Sequence, residues 1–191
     1  MVIPGNVVQN PGFDSGLSNW TFFTNASATA STTTQNPYEC APAARVAITT
    51  PGSNVQLYQT GVALQPNTTY QFSVAARASA NRAIEAVLAR HVAPYTNYGL
   101  KTTLNLTTNW QVFTVTFTTK GFSSPVSDGR LRFTLDKSDV AGDFFFFDNV
   151  VLAPPGSVPP TPTNTPVVAN TATPTPTPSN TPTPSQTPTP A

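Results

Sequence analysis

Gly142-Asp143-Phe144-Phe145-Phe146-Phe147-Asp148-Asn149-Val150-Val151-Leu152 decides how this chain folds. In an extended strand successive side chains point to opposite faces, so four phenylalanines in a row put large rings on both. Such a strand must be covered on each side, which predicts the centre of a two-layer structure. At the other end, Asn10-Pro11-Gly12-Phe13-Asp14-Ser15-Gly16-Leu17-Ser18-Asn19-Trp20 is a turn-rich opening that delivers a carboxylate and then a tryptophan. The two ends are expected to meet, with Asp14 near Asp148.

Between them, strand signals come at short intervals. Asn6 to Gln9 reads as a short first strand and Trp20 to Thr24 as a second, followed by a Ser/Thr/Ala-rich stretch through Thr34. A loop over Gln35 to Pro42 leads into Arg45 to Thr49, and Pro51-Gly52-Ser53-Asn54 turns the chain into Val55 to Thr60. Pro66-Asn67 then precedes a strand with Tyr70, Phe72 and Val74 on one face and Gln71, Ser73 and Arg77 on the other. Arg82 to His91 would pass for a helix on propensity. Its length and its strand neighbours make it a strand. Leu100 to Leu106, Trp110 to Thr119 (Phe113, Val115 and Phe117 on one face) and Gly129 to Leu135 (Leu131, Phe133 and Leu135 inward) continue the alternation. About ten short strands and no convincing helix predict an all-β fold, a β-sandwich of jelly-roll type.

Composition bounds the partners. The 191 residues carry a net charge of +1 and only 9% are charged, a balance that argues against nucleic acid or an anionic membrane as the main partner, since both need a basic face. No apolar run approaches the ~20 residues of a membrane span. One cysteine, Cys40, excludes an internal disulfide and reads as a small buried or half-buried thiol. The opening Met1-Val2-Ile3-Pro4-Gly5-Asn6 lacks the basic start and apolar run of a signal peptide, so either export information has been removed or, the reading favoured here, the sequence is a piece excised from something longer.

Of the 21 prolines, eight precede Pro154 and 13 lie from there on, in a tail with no charged and no aromatic residue. Such a segment has nothing to bury and few backbone donors, so residues 1–153 are expected to form the domain. Residues 154–191 are expected to form a disordered, semi-rigid Pro/Thr linker of about 3 Å per residue. The tail stops in mid-pattern at Pro190-Ala191, as a linker does before a further domain.

Four motifs in order now matter together. Asn-x-Gly-Phe-Asp-x-Gly-x-x-x-Trp opens the chain, Leu64-Gln65-Pro66-Asn67-Thr68-Thr69-Tyr70 stands in the middle, Thr108-Asn109-Trp110-Gln111 precedes the Phe/Val/Phe strand, and Phe146-Phe147-Asp148-Asn149-Val150 closes it. This order resembles the carbohydrate-binding modules of the family four, nine and twenty-two group, over Asn6 to Leu152. The resemblance implies a jelly roll that binds a β-glucan or xylan chain in a cleft, joined by a Pro/Thr linker to a glycoside hydrolase. It also implies a structural calcium held by Asp14, Asp148 and a carbonyl near Gly12, with another from the loop before Arg45. The chemistry agrees, since calcium takes several hard oxygens and two converging carboxylates need a cation. Without metal, Asp14 would cap a turn and Asp148 would bond to backbone; Glu39 is a possible added ligand.

Sugar binding asks for aromatic faces against pyranose rings and planar polar groups on hydroxyls. Arg90-His91-Val92-Ala93-Pro94-Tyr95-Thr96-Asn97-Tyr98 is the richest stretch, and the resemblance matches its His91 and Tyr95 to a polar and an aromatic contact. Glu85 takes a position where the resembling modules carry a basic contact. Arg130, Arg132 and Thr134 are outward on the penultimate strand, and the resembling modules often carry amides at two of these positions. Phe23 and Tyr58 occupy places where binding aromatics occur, with core or rim as the plainer alternative. Tyr95, Tyr58 and Tyr98 are expected to form a stacking platform, and His91, Arg130 and Arg132 to bond to hydroxyls. The arginine pair facing Glu85 reads alternatively as a salt-bridge network.

Catalysis is poorly supported. Glycoside hydrolysis needs two carboxyls across one bond, yet Glu39 and Glu85 are the only glutamates and His91 is the only histidine. The expected function is therefore a secreted, monomeric, non-catalytic module that holds a covalently linked hydrolase against polysaccharide. The alternative is a structural or adhesion jelly roll of a surface protein with no sugar of its own.

Overall fold

A computed structural model describes residues 3–39, 42–137 and 139–156. These hold ten strands and no helix: β1 (Thr21–Thr24), β2 (Ser27–Thr33), β3 (Ala43–Thr50), β4 (Val55–Leu64), β5 (Thr69–Ala78), β6 (Arg82–Arg90), β7 (Asn97–Leu106), β8 (Gln111–Thr118), β9 (Val126–Thr134) and β10 (Phe144–Ala153). They form two five-stranded antiparallel sheets, ordered β1-β4-β9-β6-β7 and β2-β3-β10-β5-β8. The expected all-β sandwich is the observed architecture. Cys40 and the Pro/Thr tail from residue 157 lie outside the described residues.

The phenylalanine run sits where its sequence demands, in β10 at the middle of the second sheet between β3 and β5. Phe145 and Phe147 are fully buried between the sheets. Phe144 and Phe146 face outward, yet among the described residues no third layer of backbone covers them. Instead the Arg45 guanidinium lies 4.2 Å over the Phe144 ring and that of Arg77 lies 3.8 Å over Phe146, and the Trp110 ring meets Phe146 edge-on. Cationic and indole side chains thus supply the second cover.

Across the core, Phe133 of β9 stacks on Phe147 of β10 at 4.5 Å and faces Trp20 at 6.1 Å, so one aromatic column joins both layers. Trp20 in turn meets Phe13 at 5.3 Å, and its indole N–H donates to the Asn10 carbonyl, fastening the opening loop. β6 is a strand despite its alanines because β9 and β7 flank it on both sides and its alternate residues Ile84, Ala86 and Leu88 are fully buried. Ladder bonds and burial on one face outweigh intrinsic propensity.

Asn6 to Gln9 is not a strand. The Val7 N–H donates to the Leu152 carbonyl, while the Asn6 side-chain amide accepts from Leu152 N–H and donates to Val150 C=O. A side chain therefore satisfies backbone groups that a strand partner would have paired. Gln59, itself buried, exchanges two 2.8 Å bonds with the backbone of Gln9 and holds the same segment from the other sheet.

Candidate functional site

The outward face of the first sheet is built in rows by strand register. Phe23 of β1, Gln56 of β4, Thr134 of β9 and Glu85 of β6 are successive cross-strand partners, and so are Tyr58, Arg132 and Val87. Directly opposed residues share a face, so these side chains stand together although up to 111 positions separate them in the chain. Arg130 lies one row further along, opposite Ala89. Its guanidinium sits 5.4 Å from the Tyr58 ring and 5.9 Å from that of Tyr95, between the two aromatics. The His91 ring lies 6.3 Å from Tyr58.

Asn54, Gln56, Tyr95, Arg130 and Arg132 line a cavity of about 350 Å³ on this face. Asn54 and Gln56 escaped the sequence reading, although they share the parity of Tyr58 on one strand and its approach. Gln56 Nε2 donates to Asn54 Oδ1, which presents the two amides as one unit. Glu85 makes no ion pair with the arginines among the described residues. Its partner is Lys101 of β7, at 3.8 Å. Burial, and then the charge of Arg130, lowers the Arg132 pKa, while Glu85 acts in the opposite direction.

The face is also short of hydrogen-bond partners. Six buried side-chain polar atoms of the described residues have no partner, and four of them are here: His91 Nδ1, Arg130 Nε, Arg132 Nε and Thr134 Oγ1. An unmet buried polar atom costs about 1–3 kcal/mol, so these four are polar groups that the fold's own bonding does not satisfy.

Tyr95 is 59% exposed on the loop after β6 and has φ of 57°. The left-handed region costs a bulky residue about 1–2 kcal/mol, which the rest of the loop must offset. Phe23, 46% exposed, forms the rim at the sheet edge.

Tyr98 does not join this platform. It is the second residue of β7 and shares the inward parity of Leu100 and Leu104; only 3% of it is exposed. Its ring meets Phe122 at 4.7 Å and its hydroxyl donates to Asp128 at 2.8 Å. Burial first, then that bond, pushes its pKa up to about 12. Asp128 also accepts from Arg90 Nε, and its carbonyl accepts from His91 N–H. Tyr98 is thus a strut for the loop that presents Tyr95. Tyr98→Phe is expected to cost about 1 kcal/mol, because Asp128 is partly exposed, and to speed amide exchange over residues 92–96. Unchanged exchange there would show that the strut is not needed.

At the chain-end junction, a Cβ added at Gly12 would lie 3.6 Å from Asp14 Oδ2 and 3.9 Å from Asp148 Oδ1. The opening loop and β10 therefore aim two carboxylates at one small space that glycine leaves open. Asp148 is almost fully buried and accepts from the backbone N–H of Glu39 and Asn149. Burial nevertheless raises its pKa to about 6. Glu39 stands alongside, with Oε1 accepting from the Asn149 amide. No cluster of three His, Cys, Asp or Glu exists among the described residues, so a cation here would need carbonyl oxygens besides the carboxylates.

Two stacked antiparallel sheets define an all-β sandwich, and one of them presents a row of aromatic and unpaired polar side chains on its outward face. Residues 5–139 match the family model described as a carbohydrate binding domain, and the chain belongs to that family. No curated protein matches it. Among solved structures, a CBM4 module is 24% identical with a TM-score of 0.64, covering 77% of this chain and 99% of its own. The N-terminal cellulose-binding domain of Cellulomonas fimi β-1,4-glucanase C is also 24% identical, with a TM-score of 0.58 over 74% of this chain and 92% of its own. The CBM22-1 xylan-binding domain of Paenibacillus barcinonensis Xyn10C is 12% identical, with a TM-score of 0.57 over 80% and 97%. These likenesses establish the shared fold.

Proposed function

We propose that the protein is a non-catalytic module that binds a β-linked polysaccharide, a β-glucan or xylan, across the outward face of its first sheet. The observation that carries this reading is the gathering of four partnerless buried polar atoms beside two aromatic rings. Tyr58 and Tyr95 stack on pyranose faces, while Arg130, Arg132, His91, Gln56 and Thr134 bond to hydroxyls. The likeness to a cellulose-binding and a xylan-binding domain supports this ligand class. A monomer outside the cell, carried on a Pro/Thr linker next to a glycoside hydrolase, is the setting in which such a module acts. The tether turns weak binding into a high local substrate concentration.

Calcium at the chain-end junction belongs to the same reading. Asp14, Asp148 and a carbonyl near Gly12 would hold it, and it would supply positive charge that keeps both carboxylates ionised and the chain ends joined.

Calorimetric titration with β-glucan and xylan oligosaccharides tests the sugar site. Tyr95→Ala is expected to weaken binding about tenfold, since a stacked ring is worth about 0.5–1.5 kcal/mol beyond its area, and to leave the melting temperature in place. Arg132→Ala is expected to lose affinity with little salt dependence, because the ligand is neutral. Equal binding by Tyr95→Ala would move the site elsewhere. If the wild type binds none of these sugars, the adhesion reading takes precedence.

A further inference from the structure

The outer face of the second sheet carries a groove that the proposed cleft does not use. Cross-strand register sets Arg45 of β3, Phe146 of β10 and Arg77 of β5 side by side. With Phe144 these residues floor a cavity of about 510 Å³, within the range of small-ligand sites. Thr32, Thr33, Gln35 and Asn36 form its polar rim. That rim is fixed: the Trp110 indole donates to the Asn36 carbonyl at 2.9 Å, and Trp110 and Phe146 both flank the Arg77 guanidinium.

Neither arginine has an ion-pair partner among the described residues, where Arg82, Arg90 and Lys101 are the cations that do. Arg77 Nε is buried without a hydrogen bond, and burial lowers the Arg77 pKa. The two rings of the floor are already covered by guanidinium planes, so a neutral sugar has no free aromatic face to stack on. What the groove presents instead is two guanidinium groups, each held over a ring of the floor, and a rim of hydroxyls and amides. A planar carboxylate matches a guanidinium edge through paired N–H···O bonds, and the rim matches ring hydroxyls.

We infer that this groove is a second carbohydrate site, on the opposite side of the sandwich from the proposed cleft, that takes an acidic glycan through the carboxylate of a uronosyl residue. A module with one face for neutral and one for acidic chains would bridge two polymers of a mixed cell wall.

The probe is trigalacturonate, titrated into the full chain beside neutral β-1,4-galactotriose and a β-glucan oligosaccharide. Wild type is expected to bind trigalacturonate, more weakly as salt rises, and to prefer it at least tenfold over galactotriose. Arg45→Gln and Arg77→Met are each expected to weaken uronate binding at least tenfold. Arg77→Met keeps an apolar cover on Phe146, and Arg45→Gln leaves that stack untouched, so both should fold. Neutral β-glucan binding should be unchanged in both variants, and Tyr58→Ala should leave uronate binding unchanged. Three results overturn the inference: no uronate binding by wild type, undiminished binding by the arginine variants, or loss of uronate binding in Tyr58→Ala. The β-glucan arm reports separately on the first-sheet cleft, so failure of one site is not read as failure of the other.

Discussion

Asp148→Asn is expected to abolish both a calcium response and a pH response of folding stability. Asp148 has its pKa raised from 3.8 to about 6 by burial. Between those values the folded metal-free protein keeps a proton that the unfolded chain has released. The associated stability is present below about pH 4 and is lost as pH rises through about 6. Two units at about 1.4 kcal/mol each put the change on the order of 3 kcal/mol. The proposed calcium is expected to reverse the trend, because a cation binds the carboxylate and not the acid, so its affinity should grow from pH 5 to pH 7. At one hundred times its dissociation constant it adds about 2.7 kcal/mol, or about 5–10 °C in melting temperature. Melting curves of wild type and Asp148→Asn, with chelator and with millimolar calcium, decide the matter. Equal midpoints for the wild type with and without calcium at pH 7 would rule out a cation at this junction. A metal-free difference between the two proteins that does not vary from pH 4 to 6 would remove the buried-acid account.

Phe133→Ala should produce the largest loss of stability from a single side chain, about 3–5 kcal/mol. Phe133 has no exposure and touches both layers through Phe147, Phe72 and Trp20. Its removal leaves a cavity that neither sheet can close without breaking ladder bonds. Because Arg132 and Thr134 flank it on β9, glycan affinity should fall as well. Phe23→Ala is the matched control: that ring is 46% exposed on an edge strand, and its loss should stay within about 0.5 kcal/mol. Urea unfolding of the two variants, compared at equal m-values, checks the contrast. A Phe133→Ala cost below about 1 kcal/mol would mean that the aromatic column is not what joins the sheets.

Much of this architecture is written locally. A run of four phenylalanines has no one-faced solution, and so places β10 in the middle of its sheet. The alternation Leu131, Phe133, Leu135 fixes which way Arg130, Arg132 and Thr134 point, since strand geometry leaves only two faces. Period 2 also carried a signal for Tyr98. Starting β7 at Leu100 hid it, whereas starting at Asn97 gives Tyr98 the parity of Leu100 and Leu104 and turns it inward. Asn6 shows the limit of local reading, because a side-chain amide took the bonds of a strand that never formed.

Register between strands distant in the chain was decided by the tertiary structure alone. It sets Tyr58 opposite Arg132 on one face, and Arg45 and Arg77 on either side of Phe146 on the other. It also gives Glu85 to Lys101 and leaves four arginines unpaired among the described residues. The physical reason is that a strand's own residues dictate only which side chains point inward. How far it slides along its neighbours depends on how both sheets bury their rings together, and that sliding selects which polar groups meet and which are left for a ligand.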